Sequence, residues 1–178
     1  MAVGGKLREL LSQPVEEVAP RLLGWGLVRR MPEGEIVEAR LIEVEAYHQR
    51  EPASHSFRGP TQRNAVMFGA PGYAYVYFIY GMHYCLNVSC EPEGVGAAVL
   101  IRAAEAVRHA RLRLNGPAVL CKNLAIDRSL NGTDMLDSSS PLYLKPGMLR
   151  QDERIVSSPR IGIRVANDLP WRFRIEEH

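Results

Sequence analysis

The sequence predicts an α+β fold: one domain over residues 1–178, with a mainly antiparallel curved β-sheet, flanking helices and a protruding β-hairpin. Three observations predict it. Tyr73–Tyr80 and Tyr84–Ser89 are rich in aromatic and β-branched residues and flank the tip Gly81-Met82-His83, the pattern of a hairpin. Ile36–Tyr47 is a long alternating run that follows a turn at Pro32-Glu33-Gly34. Helical segments gather away from these strands instead of alternating with them, which argues against a parallel βαβ sheet.

Leu7–Leu11 reads as a short helix, and Val15–Leu23 as a second, stopped by Gly24. Pro20 is tolerated there only if the helix begins near Glu17, where a first-turn proline costs little. Gly26–Met31 and Ile36–Tyr47 read as strands, followed by a polar stretch from His48 to Gly72 that is long for a structureless loop. Ala97–Arg102 is a further strand. Ala104–Leu114 reads as a helix closed by Asn115-Gly116-Pro117, with Arg108, Arg111 and Arg113 along it, and Ala118–Ile126 as another helix. Short strands near Leu142–Leu144, Arg160–Val165 and Trp171–Ile175 complete the reading.

Composition narrows the function classes. The net charge is only +2, but nineteen of the 22 basic residues are arginine, whose flat fork suits phosphate and carboxylate recognition. Biased codon usage explains that excess equally well. Cys85, Cys90 and Cys121 are odd in number and fit neither a disulfide framework nor a zinc site, so a reduced intracellular compartment is expected. No apolar run approaches the roughly 20 residues of a membrane span, and the N-terminus is too short and polar for a signal peptide. A soluble, cytoplasmic protein is the expectation. There is no phosphate-cradling glycine loop, no His/Glu metal pattern and no Ser or Cys nucleophile motif, so neither metal nor cofactor is expected.

Two segments carry candidate chemistry. Strand alternation places Val37, Ala39, Leu41, Glu43, Glu45 and Tyr47 on one face. On this segment alone two readings stay open. Either the last residues line a cavity, or a bulge turns the face outward and leaves both glutamates solvated or ion-paired. Glu43 and Glu45 lie about 6.6 Å apart along such a strand, a separation that also suits a paired-carboxylate sugar hydrolase. In the hairpin, Tyr73, Tyr75 and Tyr77 share one face and Val76, Phe78 and Tyr80 the other, and core packing is their ordinary role. The tip is unusual, because Tyr80 and Met82 stand where polar residues are expected. Either a neighbouring element covers them, or they serve as a wedge of the kind that minor-groove proteins insert between base pairs. Asn87 interrupts an apolar strand and needs partners if buried. Arg102 ends one, and is either solvated or aimed at the cavity of Glu45.

Taken together, these segments resemble the mammalian-type alkyladenine (3-methyladenine) DNA glycosylase family. The resemblance is carried by Ile42–Tyr47, Ser54-His55-Ser56, Arg63–Phe68, Tyr75–Met82, Leu86-Asn87-Val88, Val99–Arg102, Gly116–Ile126 and Arg160-Ile161-Gly162, in the family's order. Against the family pattern, the Tyr47–His55 spacing is short, and His83 and Val119 stand where an aromatic residue and a lysine are common.

The resemblance implies an enzyme that turns an alkylated or deaminated purine out of double-stranded DNA and hydrolyses its N-glycosidic bond, acting as a monomer. By position it makes Glu45 the base that activates water, with Arg102 helping to hold that water. Tyr47, His55 and Tyr77 become the walls between which the purine stacks. Asn87 becomes the residue that excludes guanine, and the Ile161 backbone helps to orient the water. Tyr80, with Met82 beside it, becomes the plug that fills the vacated stack. No lysine lies in the matching stretches near Glu45, which disfavours a Schiff-base lyase. A damaged-DNA-binding protein without catalysis remains the alternative, with the sugar hydrolase behind it.

Overall fold

The computed structural model describes residues 2–177. Three helices, α1 (Ala2–Leu11), α2 (Val15–Arg21) and α3 (Pro117–Asn123), accompany eight strands. The strands are β1 (Gly26–Arg30), β2 (Ile36–His48), β3 (Ala74–Ile79), β4 (His83–Ser89), β5 (Ala97–Ala106), β6 (Leu142–Lys145), β7 (Glu153–Ser158) and β8 (Arg172–Glu177). They form a single curled sheet in which six follow the order β3-β4-β5-β2-β1-β6, β8 branches off by pairing with β2, and β7 pairs with β8; every named ladder is antiparallel.

β2 is the spine of this sheet. One edge pairs with β5 along most of its length, while the other is shared by β1 at Ile36–Arg40 and β8 at Glu43–Glu45. Midway the ladder is irregular. Leu41 pairs with Ala104, Glu43 with Ala103 and Val44 with Ile101, so Ile42 and Arg102 are left out. This shift changes which side chains face the core. Val37, Ala39 and Leu41 are buried in it before the irregularity, Val44 and Ala46 after it. The helices cover that face, with Val18 and Leu22 of the α2 segment and Leu120 and Leu124 of the α3 segment in the same cluster. Over the opposite face folds the long His48–Gly72 segment. Its Met67 packs on Tyr75 and Ala98, with Phe68 at the margin.

That segment is ordered by buried polar contacts in place of regular structure. Ser56 Oγ donates to the Gly96 carbonyl (2.8 Å), and the Gly96 amide donates to Gln49 Oε1 (2.7 Å). Glycine is required at 96, because a Cβ there would lie 2.6 Å from the Phe68 ring. Asn64 bridges the His55 and Gly59 carbonyls and accepts from the Thr61 amide.

Three expected elements differ. α2 begins at Val15 as expected, but Pro20 lies inside it and not in its first turn. The carbonyl that loses its helical donor is that of Glu16, an exposed residue. Ala104–Leu114 is not a helix. β5 runs on to Ala106, and the chain then doubles back, with Ala104 N–H donating to Leu114 O and Gly116 N–H to Arg102 O. Pairing with Leu41, Arg40 and Ala39 of β2 holds Ala104–Ala106 extended, so no helix starts there, and Arg108, Arg111 and Arg113 share no helix face. Arg160–Val165 is a loop, and the strand lies earlier at β7, where Ile155 and Val156 sit among polar residues and pairing with β8 supplies the order. Among the described residues no helix is long and apolar enough to cross a membrane.

Candidate active site

A pocket of about 300 Å³ opens on the face of the sheet away from the main core. The ladder registers build its floor as a row: Tyr75 opposite Asn87, Asn87 opposite Leu100, Leu100 opposite Glu45, Glu45 opposite Arg172. Five strands thus deliver side chains to one line with no loop involved. Loops supply the rest, His55 and Ala53 from the segment after β2, and Ile161 to Ile163 from the β7–β8 connection.

Glu45 is fully buried. Its Oε1 accepts from the Tyr47 hydroxyl (2.8 Å) and Arg102 Nη1 (3.4 Å), and its Oε2 accepts from the Ile161 amide (2.8 Å). All three donors line the pocket, so the carboxylate lies just beneath the point where they meet. Three bonds leave part of its acceptor capacity unused, since an ionised carboxylate has about four lone-pair sites. Burial and the Glu45 charge raise the Tyr47 phenol well above its ordinary range, so it stays a proton donor.

Glu43 is tied to two arginines, accepting from Arg102 Nε (3.2 Å) and Arg172 Nε (2.8 Å). Arg102 therefore bridges both glutamates. It lies mid-strand at the ladder irregularity, a correction to the expectation that it ends its strand. The same irregularity corrects the predicted face of β2. Glu45 and Tyr47 do not continue the core-facing series of Val37, Ala39 and Leu41, but face the opposite side. Both readings of this segment hold in part: a bulge is present and Glu43 is ion-paired, while Glu45 is enclosed.

The aromatic residues form two walls. His55 and Tyr77 lie against each other with ring centroids 3.8 Å apart and planes 34° apart, so no base fits between them. They make one wall, and Tyr47 lines the pocket separately. Tyr75 stands edge-on to His55 at 6.1 Å, with its hydroxyl 3.2 Å from Nδ1. Arg63 places its guanidinium 4.2 Å from the Tyr77 centroid. Burial, then the Arg63 charge, depress the proton affinity of His55. Asn87 is buried, and its amide donates to the Tyr75 carbonyl (3.2 Å), which answers its need for a partner.

At the pocket rim the hairpin tip projects outward, with Tyr80 86% and Met82 67% exposed, so no element covers them. The Met82 amide closes a turn onto the Ile79 carbonyl, and both central residues have positive φ, Tyr80 at 52° and Gly81 at 66°. Glycine accepts that conformation freely, whereas a bulky aromatic residue there is a genuine outlier. Phe78 against Tyr84 (4.9 Å) stiffens the strands below.

Sequence reasoning missed Glu51 and Arg160 as site residues. The buried Arg160 donates to both carboxylate oxygens of Glu51 (2.8 and 2.9 Å) and lies 4.6 Å from the Tyr47 ring centroid. A charged residue in a polar loop resembles a solvated one, and only the folded chain reveals the pairing. Among the described residues no cluster of three His, Cys, Asp or Glu side chains is close enough to hold a metal ion. The three cysteines are free and buried.

Comparison with known proteins covers nearly the whole chain. A family model described as methylpurine-DNA glycosylase (MPG) matches residues 9–178. A relative in Carboxydothermus hydrogenoformans is 45% identical over 96% of this chain and 95% of its own. Another in Streptomyces avermitilis is 45% identical over 95% and 86%, and one in Methanocella arvoryzae 42% over 93% and 90%. Each is provisionally named a 3-methyladenine DNA glycosylase. Every group described around Glu45 lies within the matched span, and at this identity and coverage the chain belongs to the methylpurine-DNA glycosylase family.

Proposed function

We propose that this protein excises alkylated or deaminated purines from duplex DNA by hydrolysing the N-glycosidic bond, leaving an abasic site for repair. A stacked base shields that bond, so the nucleotide must first rotate out of the helix. The exposed Tyr80, with Met82 beside it, fills the vacated stack, as apolar wedges do at other unstacked steps. The purine enters between Tyr47 and the His55–Tyr77 wall, where stacking on electron-rich rings favours a cationic, alkylated base. Asn87 at the pocket floor disfavours the exocyclic amine of guanine, so unmodified guanine is not cleaved, whereas the weakened glycosidic bond of cationic 7-methylguanine lets that base leave despite the poorer fit.

The reaction is a displacement at C1′. Water oxygen bonds to C1′ as the bond to the purine nitrogen breaks, and the bonding pair leaves with the base. Alkylation at N3 or N7 makes that departure easier, because a cationic base leaves neutral. Glu45 takes the proton from water and its charge stabilises the oxocarbenium-like sugar. Arg102 and the Ile161 amide orient the carboxylate and the water beside it. One chain carries every group invoked, so the protein acts as a monomer, in the cytoplasm with the chromosomal DNA.

The observation that supports this reading most is the buried Glu45 carboxylate with three pocket-lining donors beneath aromatic walls. The test is release of free base from duplexes that each carry one lesion, assayed at fixed salt because phosphate contacts make binding salt-dependent. The wild type is expected to release 3-methyladenine or 7-methylguanine. Glu45→Gln should be slower by about 10²–10⁴-fold, the usual contribution of a general base, while still binding lesion duplex. Glu43→Gln should lose less, since that carboxylate engages two arginines. Equal inactivity of wild type and Glu45→Gln would favour a binding-only protein; equal losses at both glutamates with oligosaccharide cleavage would favour a sugar hydrolase.

A further inference from the structure

The loop that supplies the Ile161 amide has little to hold it. Among the described residues, no backbone-to-backbone hydrogen bond outside the strands involves residues 159–170. Its anchor is Arg160, whose side chain is fully buried. Nη1 donates to the Ala46 carbonyl (3.0 Å) and to Glu51 Oε1 (2.8 Å), while Nη2 donates to Glu51 Oε2 (2.9 Å) and to the Ala166 carbonyl (3.1 Å). The guanidinium lies over the rings of Tyr47 and Trp171, at 4.6 and 5.5 Å from their centroids, and its Nε is buried without a partner. Glu51 Oε2 also accepts from the Ala53 amide (2.9 Å), on the segment that carries His55.

One guanidinium therefore joins three pieces of the site: β2 beside Glu45, the segment leading to His55, and both ends of the 160–166 turn. Ala166 sits at φ 50°, a left-handed conformation that an alanine holds only when its surroundings enforce it. Stability does not account for the pair. Replacing a buried ion pair with apolar residues is often neutral or stabilising, so its presence asks for a further reason.

We infer that Glu51 and Arg160 are positioning residues: their bidentate pair fixes the 160–166 turn so that the Ile161 amide stays on Glu45 Oε2 and aims the catalytic carboxylate. The inference rests on the reading of Glu45 as the base. A planar fork locked to a carboxylate is rigid in a way that a lysine contact is not. His55 keeps its own contacts with Tyr77, Tyr75 and Asn64, so losing that rigidity leaves the His55–Tyr77 wall in place but lets the carboxylate stray from its working geometry. Small misplacements of this kind lower the chemical step rather than binding.

The test combines Glu51→Gln with Glu45→Gln in a double-mutant cycle. It reads single-turnover base release from a 7-methylguanine duplex, the Kd for that duplex, and amide exchange along the chain. Glu51→Gln is expected to slow release by about 10–100-fold and change Kd by less than about threefold. Exchange should quicken in residues 160–166 and not elsewhere. In the Glu45→Gln background the same substitution should cost less than about twofold, because its effect passes through Glu45. Should the uncompensated Arg160 prevent folding, Glu51→Gln/Arg160→Met, which leaves no unpaired charge, takes its place under the same expectations. An equal slowing in both backgrounds, or an unchanged rate with quickened loop exchange, overturns the inference. If Glu45→Gln alone releases base as fast as wild type, it is the Glu45 reading that fails, and the loop exchange still reports whether the pair holds the turn.

Discussion

At the scale of single residues, His55 shows how the site sets charge by packing. Its ring lies against Tyr77 and near Arg63, and both burial and that cation disfavour the imidazolium. A neutral ring suits a wall that must accept a positively charged purine. The same preference couples folding to pH. The folded state resists a proton that the unfolded chain binds near the ordinary value of about 6.5. His55 therefore contributes stability that is fully present above that pH and is lost as pH falls through its lower folded value. Melting temperature should decline between about pH 7 and pH 5 more steeply for wild type than for His55→Gln. Parallel profiles for the two proteins would show that this ring carries no such coupling. Glu51, Arg160 and Asn64 act at the same scale; Asn64 and Arg160 lay in matching motifs without an assigned role, and nothing in its local sequence distinguished Glu51 from a solvated loop residue.

Among the elements, the β3–β4 hairpin and β2 carry the most information. The hairpin was legible because its alternation, aromatic content and glycine-containing tip are local properties, but its tip lies one residue earlier than expected, at Tyr80-Gly81-Met82, with Ile79 paired to His83 and Phe78 to Tyr84. What the tip holds is a conformational cost. A non-glycine residue in the left-handed region costs about 1–2 kcal/mol, and Tyr80 is so exposed that packing returns little of it. Tyr80→Asn should therefore raise stability by roughly 0.5–1 kcal/mol, since asparagine tolerates that conformation. Thermal melts check this gain. Base release from lesion duplex should meanwhile fall at least about tenfold, as loss of the wedge leaves unstacking uncompensated. A variant that is both more active and more stable would remove the tip from the proposed function. In β2, strict alternation assigned the face of Glu45 wrongly, because the ladder irregularity at Ile42 and Arg102 depends on β5, a distant partner. Residues 107–114 failed as a helix for a related reason: the extension of β5 and the sheet bonds of the returning chain outweighed helical propensity.

At the scale of the whole molecule, one sheet separates a helix-covered core from an open face that receives the pocket, and distant segments must be locked to that sheet. Arg29 on β1 does this for the region after α3. It is buried and donates to the carbonyls of Leu124 (2.9 Å), Ala125 (2.9 Å), Arg30 (2.5 Å) and Pro141 (3.3 Å). Cationic donors to the Leu124 and Ala125 carbonyls at the C-terminal end of α3 are favourable. Arg29→Met, which leaves the Leu124 and Ala125 carbonyls without that donor, should cost about 3 kcal/mol and lower the melting temperature by roughly 6–12 °C for a chain of this size. A loss of under about 1 kcal/mol would mean that water reaches these carbonyls. By itself the sequence determined the α+β class, the presence of the hairpin, and which residues stand near the pocket, because periodicity, turn chemistry and family motifs are written along the chain; that the tip is uncovered came from the fold. Only tertiary structure decided which face Glu45 takes, that His55 and Tyr77 form one wall, and that Glu51 finds Arg160. Each of these depends on strand register or on burial shared between segments up to a hundred or more residues apart, which no local pattern encodes.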